Sequence, residues 1–131
     1  ALASTPTLLA GGDYTLLVYG APGTASAAMV TDDNSLPSDT SKAKLRLING
    51  VSGTTLTLKL GLVVKASGIA SGAASDYTLA DATTTGSIQV TSADGLLDFS
   101  ASTLTLQASG IYSVLMLGST SAPVGQLNRD R

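Results

Sequence analysis

The sequence predicts an all-β fold, an antiparallel two-sheet sandwich with Greek-key connections, and three observations lead to this prediction. Aliphatic and polar residues alternate with a period of two in several short segments. Glycine-rich and Asn-Gly turn signals separate these segments. The last quarter of the chain also repeats the first quarter. About seven short strands in a unit of about 98 residues are typical of a β-sandwich.

The alternation is clearest near the middle of the chain. It places Leu45 and Leu47 on one face of a strand and Lys44 and Arg46 on the other, and it recurs over residues 56–60, 88–90 and 104–106. Such strands direct aliphatic side chains toward a core and polar side chains toward solvent. We therefore expect half-buried antiparallel strands, with the lysine and the arginine on the exposed face.

Two segments are apolar on both faces, residues 13–20 (DYTLLVYG) and residues 111–118 (IYSVLMLG). This composition predicts central strands that are covered on both sides. Between strands, the pair Asn49-Gly50 predicts a tight turn, because both residue types tolerate positive backbone torsions.

Residues 66–82 are rich in Ala, Ser and Gly and fit two interpretations. A helix would place Ile69, Ala73 and Tyr77 on one face. Gly68 and Gly72 oppose it, because each costs about 1 kcal/mol relative to Ala in a helix. The favoured prediction is a loop followed by a strand at residues 75–79.

An internal repeat organises the chain. Residues 1–33 align without a gap to residues 99–131, with 11 identities in 33 positions, where chance would give about three. The polar segment that follows the first copy contains Pro37, and its composition predicts a linker. The resulting division is residues 1–33 as the terminal strands of a preceding repeat, 34–42 as linker and 43–131 as a complete sandwich.

Both copies contain an Ala-x-Gly-x-Tyr pattern that ends at Tyr14 and Tyr112. In Greek-key sandwiches of the immunoglobulin-like type, a tyrosine at this place turns its hydroxyl back to the backbone a few residues upstream. A tyrosine that stacks on a ligand is the alternative. The structural corner is favoured, because such a tyrosine satisfies its own hydroxyl.

The complete unit resembles a family of bacterial exported tandem repeats that is known only as a domain of unknown function. It opens with AKLRLINGV, continues through LTLKLGLVVKASGIASGAASDYTL and LTLQASGIYSVLMLGS, and closes on Asn-x-Asp. The resemblance covers residues 43–131 and again 3–34. It departs at Asn49-Gly50, where the family has His-Ala. The resemblance implies an immunoglobulin-like or transthyretin-like sandwich in periplasmic, secreted or cell-surface proteins, without an established enzymatic activity.

Composition narrows the possible functions. The chain has no His, Cys or Glu, and seven Lys and Arg against nine Asp give a net charge of −2. Nucleic acid is not an expected partner, because no basic run is present to neutralise phosphates. No apolar stretch approaches the roughly 18 residues of a transmembrane helix. Catalysis would have to be built from Asp, Lys, Arg, Ser, Thr and Tyr.

Neither catalytic arrangement that can be found is expected to work, and we predict no enzyme. Ser41 and Lys44 have a Ser-x-x-Lys spacing, but on a strand the two side chains point to opposite faces. The carboxylate pairs Asp94 with Asp98 and Asp76 with Asp81 lie in predicted turns, where aspartate bonds to the backbone. No cofactor is required by any of these residues.

A calcium site is the one metal hypothesis that the sequence supports. It uses oxygen ligands that cluster at the linker, namely Asp32, Asp33, Asn34 and Asp39. Hard oxygen donors of this kind bind Ca²⁺. A solvated hinge is the favoured interpretation of the same residues. At the end of the second copy, Arg129 and Arg131 would repel a cation, so the site is not expected to repeat.

The leading functional hypothesis is a non-catalytic structural or adhesion-type module of a bacterial exported or cell-surface repeat protein. The alternative is a binding module that captures a peptide, a glycan or calcium through loops such as residues 66–76 and 92–98. Because residues 1–33 resemble the final strands of an otherwise absent unit, their edges would lack partners. We therefore also expect self-association by strand pairing or strand exchange.

Overall fold

The computed structural model describes residues 7–131, and all regular secondary structure in this range consists of β-strands. The predicted all-β class is confirmed. Positions 1–6, which include the repeat matches at Ala3, Ser4 and Thr5, lie outside the described residues. The strands are β1 (Asp13–Tyr19), β2 (Ser26–Asp32), β3 (Lys42–Asn49), β4 (Leu56–Leu60), β5 (Val63–Ile69), β6 (Thr78–Asp81), β7 (Thr83–Ser92), β8 (Asp98–Leu106), β9 (Ile111–Gly118) and β10 (Pro123–Arg129).

Strands β3 to β10 form a two-sheet sandwich. One sheet has the order β10-β9-β3-β6 and the other has the order β5-β4-β7-β8. Alternate side chains of both sheets form one hydrophobic core, as the period-two pattern predicts. The core residues that are fully or almost fully buried include Leu45, Leu47, Leu56, Leu58, Val90, Leu106, Val114 and Met116.

One strand pair departs from the predicted antiparallel pattern. Strands β3 and β9 run parallel, with a register from Lys44 opposite Ile111 to Asn49 opposite Met116. All other pairs of named strands are antiparallel. Parallel neighbours need a long crossover connection, and here strands β4 to β8 supply it. The sheet that contains β3 and β9 is therefore mixed.

The sandwich has eight strands, and the additional one explains the ambiguous glycine-rich segment. Residues Val63–Ile69 form β5, which pairs with β4 through an irregular register. Gly68 has a positive φ of 66° inside this strand, a conformation that glycine adopts without strain. The loop prediction for residues 66–69 is therefore wrong, and the following strand occupies Thr78–Asp81 instead of 75–79.

The Asn49-Gly50 pair has a different role from the predicted turn. Asn49 is buried, and its side-chain amide donates to the carbonyl oxygens of Thr54 and Ile69, each at 2.9 Å. A Cβ atom on Gly50 would lie 2.5 Å from a methyl carbon of Leu117. The asparagine therefore satisfies loop carbonyls and the glycine permits close packing, while Gly53, with φ of 78°, provides the positive torsion nearby.

Strands β1 and β2 form a separate two-stranded hairpin. The hairpin lies against the outer face of the β10-β9-β3-β6 sheet, where β2 contacts the side chain of Arg46. Leu17 and Val30 are buried although they do not belong to the main core. Because the hairpin covers this outer face, every residue from Ala43 to Asn49 is buried.

Hairpins β1–β2 and β9–β10 have the same register. Asp13 pairs with Asp32 and Leu17 pairs with Ala28 in the first hairpin. The residues 98 positions after Leu17 and Ala28 are Leu115 and Gln126, and these two residues pair in the other hairpin. The sequence alignment and the strand pairing therefore give the same correspondence between the two hairpins. We call two residues that are 98 positions apart equivalent.

The predicted tyrosine corners are confirmed in both hairpins. The hydroxyl of Tyr14 accepts a hydrogen bond from the amide of Leu9 at 3.0 Å, and that of Tyr112 accepts one from the amide of Gln107 at 2.9 Å. Each tyrosine ring passes close to the glycine two residues before it. A side chain at that glycine would collide with the ring, which explains the shared Gly-x-Tyr spacing.

The two hairpins differ in burial. Strand β9 is central and buried on both faces, as predicted. The same prediction is wrong for β1, where Leu16 is 62% exposed and Val18 is 50% exposed. Strand β1 lacks an opposing sheet on that face within the described part of the chain. Residues 7–131 also contain no helix with the length and apolarity needed to cross a bilayer.

Candidate functional site

The most elaborate polar arrangement lies between hairpin β1–β2 and the outer face of β3. The side chains of Lys44 and Arg46 alternate with the core leucines and point to this outer face. Lys44 is 8% exposed and Arg46 is 2% exposed. The sequence predicts solvent-exposed cations here, and the hairpin buries them. A buried charge needs partners, and both cations have them.

Arg46 joins the hairpin to the sandwich. Its Nε donates to Ser113 Oγ on β9 at 2.7 Å, and its Nη1 donates to the carbonyl oxygen of Thr31 on β2 at 3.2 Å. Its Nη2 forms an ion pair with Asp32 Oδ1 on the hairpin and lies 3.9 Å from Asp130 Oδ2 on the sandwich. The planar guanidinium therefore uses several donors at once on two separate sheets.

Asp32 and Asp130 are equivalent residues, and each accepts a hydrogen bond from an equivalent hydroxyl. Thr15 Oγ1 donates to Asp32 Oδ2 at 2.8 Å, and Ser113 Oγ donates to Asp130 Oδ2 at 2.6 Å. The two hairpins thus present the same carboxylate–hydroxyl pair to one arginine. Such charge-assisted bonds keep partly buried carboxylates satisfied.

Tyr77 covers the cationic groups from the other side. Its ring centroid lies 4.6 Å from the Cζ atom of Arg46 and 4.9 Å from the Nζ atom of Lys44, within the range of cation–π attraction. Its hydroxyl donates to Asp130 Oδ2 at 3.1 Å. Burial, together with the neighbouring carboxylate, raises the pKa of Tyr77 to about 12. The phenol is therefore a neutral hydrogen-bond donor at physiological pH.

Lys44 fastens the segment that follows β2. Its ammonium donates to Asp33 Oδ2 at 3.0 Å and to the carbonyl oxygens of Ser35 and Asp33 at 2.8 and 3.2 Å. Asp33 Oδ1 in turn accepts bonds from the hydroxyl and the amide of Ser35. The pKa of Asp33 is lowered to about 2, mainly by the hydrogen bond from the Ser35 hydroxyl and next by the bond from the Lys44 ammonium. The first residues of the predicted linker are thereby bound to the sandwich.

The four residues of the calcium hypothesis have different partners. Asp32 and Asp33 bind cationic side chains, as described above. Asn34 donates to Asp13 Oδ2 at 2.9 Å, while its own Oδ1 is buried without a hydrogen-bond partner in the described structure. Asp39 accepts bonds from the hydroxyl and the amide of Ser41, which lower its pKa.

No cluster of three or more acidic side chains suited to a metal ion is found in residues 7–131. Near the linker, the Arg131 guanidinium also donates to the carbonyl oxygen of Asn34 at 2.7 Å. A calcium ion would have to compete with Arg131, Lys44 and Arg46 for these oxygens. Calcium binding stays a prediction from the sequence.

Most of the candidate catalytic residues are likewise engaged in local contacts. The hydroxyl of Ser41 donates to Asp39, whereas Lys44 binds Asp33 and Ser35. Asp94 accepts bonds from the Ser92 hydroxyl and the Leu96 amide, which lower its pKa and close the turn between β7 and β8. Asp81 forms an ion pair with Lys42 across the β3–β6 pair.

A groove of about 610 Å³ lies at the other end of the hairpin. It runs between the β1–β2 loop and the β9–β10 loop, beside the equivalent residues Gly20, which follows β1, and Gly118, which ends β9. Both glycines have positive φ, 99° and 85°. The only ionisable side chain in the lining is Tyr19. Such a groove offers apolar contacts and hydrogen bonds, and it holds no acid–base pair.

The residues that hold the hairpin in place are not predicted from the sequence. The alternation predicts Lys44 and Arg46 as solvent-facing residues, and Lys44 also belongs to the Ser-x-x-Lys candidate, but no local pattern connects either cation with Asp130 or Ser113. One signal was present, since Asp32 aligns with Asp130 in the internal repeat. Equivalent carboxylates at the ends of two repeated hairpins indicate a shared structural role.

Comparisons with known proteins add no family. No family model matches the chain, and no curated protein matches it. The description of the site therefore rests on its geometry.

Proposed function

We propose that this chain is a non-catalytic structural module, a β-sandwich that holds an adjacent β-hairpin in a fixed orientation. The observation that carries the proposal is the bridge from Arg46 to Asp32 on one sheet and to Asp130 and Ser113 on the other. Buried charges with several partners fix geometry more than they add stability. A module of this kind acts as a rigid spacer between neighbouring units.

The engagement of the polar side chains supports the same proposal. Most of the side chains considered for catalysis bind neighbouring residues, namely Ser41, Lys44, Asp81, Asp94 and Asp98. A spacer or adhesion-type role in a bacterial exported or cell-surface repeat protein agrees with the family resemblance of residues 43–131. Within this proposal, the periplasm, the cell surface or the extracellular space is the place where the module works.

Self-association by strand pairing or exchange is also part of the proposal. Strand β1 and strand β2 each have one neighbour within residues 7–131. Strands with an unpaired edge can pair with another chain. Sedimentation velocity over a range of protein concentrations tests this point, with dimers or larger species expected as the concentration rises.

Backbone ¹⁵N relaxation tests the spacer role. If hairpin and sandwich form one rigid unit, the amides of β1 and β2 give the same rotational correlation time as those of β3 to β10. Replacement of Arg46 by Met should shorten the value for the hairpin alone, whereas the control Arg129→Met, at an exposed arginine, should not. A hairpin that tumbles independently in the unaltered chain would refute the proposal.

A further inference from the structure

Strand β1 combines an unpaired edge with an exposed apolar face. Among the described strands it pairs only with β2. Leu16 and Val18 on its outward face are 62% and 50% exposed, and Leu9 just before the strand is 71% exposed. Contiguous apolar surface beside free backbone groups is typical of a site that accepts an added strand.

The equivalent edge and face of β9 are covered by other strands of the sandwich. Val114 and Met116, equivalent to Leu16 and Val18, are fully buried in the sandwich core. The edge of β9 that faces away from β10 pairs in parallel with β3. The same side chains and the same edge that β1 leaves open are therefore covered, in β9, by the opposing sheet and by β3.

The backbone groups that would receive a strand can be identified. The carbonyl oxygens of Gly110 and Met116 accept bonds from the β3 side, at 2.9 and 2.7 Å, while Ile111 bonds to residues that follow β10. Successive residues of a strand direct their backbone groups to opposite edges. Because both hairpins share one register, the corresponding groups on the open edge of β1 belong to residues 12, 14, 16 and 18.

We propose that this edge and face of β1 form a docking site for a parallel strand with the sequence pattern of β3. The β3–β9 register places Leu45 beside Tyr112 and Leu47 beside Val114. A strand of the same pattern on β1 would place its two leucines beside Tyr14 and Leu16. The added strand would cover apolar surface and satisfy the open edge in one step.

Charge complementarity favours the same occupant. In the sandwich, Arg46 Nε binds Ser113 Oγ, which donates to Asp130. The hairpin carries the equivalent pair, Thr15 bonded to Asp32. A docked strand with an arginine at the matching position would meet the same hydroxyl–carboxylate pair, in which Asp32 also pairs with the chain's own Arg46. Cationic residues at positions 42, 44 and 46 of β3 also complement a chain of net charge −2.

This inference uses the same open edge as the proposed self-association, and it does not depend on the spacer role. It names the kind of strand that the edge accepts. Within the chain itself, β3 is buried on both faces, so a separate peptide is the direct probe.

The experiment titrates the ¹⁵N-labelled chain with a synthetic peptide of residues 41–50 (SKAKLRLING). We expect shift changes concentrated on the even-numbered amides of β1. A matched peptide with Asp in place of both leucines should bind at least about tenfold more weakly. A spin label on the peptide N-terminus should broaden signals near Asp13 and leave those near Tyr19 sharper, because the pairing is parallel.

Two variants of the chain provide the control. Leu16→Asp should weaken peptide binding by about tenfold or more, whereas Leu62→Asp, at a side chain that is 99% exposed in the β4–β5 turn, should leave it unchanged. Amide spectra and thermal melting establish that both variants are folded.

Several results would overturn the docking proposal. The first two are the absence of chemical-shift changes at millimolar peptide and equal affinity for the original and the matched peptide. A third is spin-label broadening near Tyr19 instead of Asp13. A fourth is shift changes confined to β9 and β6, which would mean that the peptide exchanges with the chain's own β3. Relaxation of the peptide-free chain reports separately on the spacer role, so the two proposals can fail independently.

Discussion

Asp32 and Asp130, which lie 98 positions apart, bind the same guanidinium from two different sheets. Asp32 ends strand β2, and Asp130 follows β10 directly. Asp32 accepts a hydrogen bond from Thr15, two residues after the start of β1, and Asp130 accepts one from Ser113, two residues after the start of β9. Both carboxylates face Arg46. One cation thus neutralises two carboxylates that correspond in the internal repeat.

Removal of this cation should destabilise the chain strongly. Arg46→Met leaves two partly buried carboxylates without their partner, and we expect a loss of about 3 kcal/mol in the free energy of unfolding. The double variant R46M with Asp32→Asn should recover part of the loss, because one of the unpaired charges is then absent. Urea denaturation measures both values. An Arg46→Met variant as stable as the exposed-site control Arg129→Met would contradict the bridge.

The two tyrosine corners should differ in their contribution to stability. Tyr112→Phe removes the hydroxyl that accepts the Gln107 amide in a partly buried position, and we expect a loss of about 1 kcal/mol. Tyr14→Phe removes the equivalent bond at an exposed position, so its effect should be smaller. The pair of variants is matched in chemistry and differs in burial. Equal losses in urea denaturation would show that burial does not set the contribution.

The hydrogen bonds of Asp33 with Ser35, together with its ion pair with Lys44, should make stability dependent on acid pH. The pKa of Asp33 is lowered from 3.8 to about 2 in the folded chain, so its stabilising contribution is complete above pH 4 and is lost as the pH falls toward 2. Since the Asp33 side chain is 62% exposed, the contribution should stay below about 1 kcal/mol. Urea denaturation at a series of pH values compares the chain with Asp33→Asn. A stability difference that persists undiminished at pH 2 would contradict this assignment.

Tyr77 should ionise late in an alkaline titration. Its pKa is raised from 10.0 to about 12, so the folded chain favours the neutral phenol and its stabilising contribution is lost as the pH rises from 10 to 12. The change in ultraviolet absorbance follows tyrosinate formation. The chain has four tyrosines, and Tyr77→Phe should remove the step near pH 12 specifically. An unchanged curve in that variant would mean that the late step belongs to another tyrosine.

Calcium should leave the melting temperature of the unaltered chain unchanged at millimolar concentration. The carboxylates of Asp32 and Asp33 already bind Arg46 and Lys44, and a divalent ion would have to displace them. Differential scanning calorimetry with calcium, and with magnesium as the control ion, measures the effect. A rise in melting temperature specific to calcium would support the linker site predicted from the sequence.

The period-two pattern predicts the sandwich core correctly because it records which face of each strand is apolar. Leu45, Leu47, Leu56 and Leu58 all point into the core. The pattern cannot show what covers the opposite face. Lys44 and Arg46 read as solvent-exposed positions, yet a separate hairpin buries them through ion pairs that depend on residues distant in the sequence.

Local composition does not predict the structure correctly where strand pairing determines it. Residues 13–20 and 111–118 are both mostly apolar, but within residues 7–131 only the second segment is covered on both faces. Gly68 suggests a loop, whereas pairing with β4 keeps its neighbours in a strand and uses the glycine at an irregular position. The parallel pairing of β3 with β9 had no local signal, because it depends on where the crossover returns.

That parallel pairing has a consequence for synthesis on the ribosome. Arg46 and Ser113 are bonded across the two strands although they lie 67 residues apart. At translation rates of about 5 to 20 residues per second, β3 would wait roughly 3 to 13 s for the strand beside it. During this interval Lys44 and Arg46 face water, and their positive charges discourage neighbouring nascent chains from pairing with the waiting strand. The same cations that later become buried would thus first act as gatekeepers against aggregation.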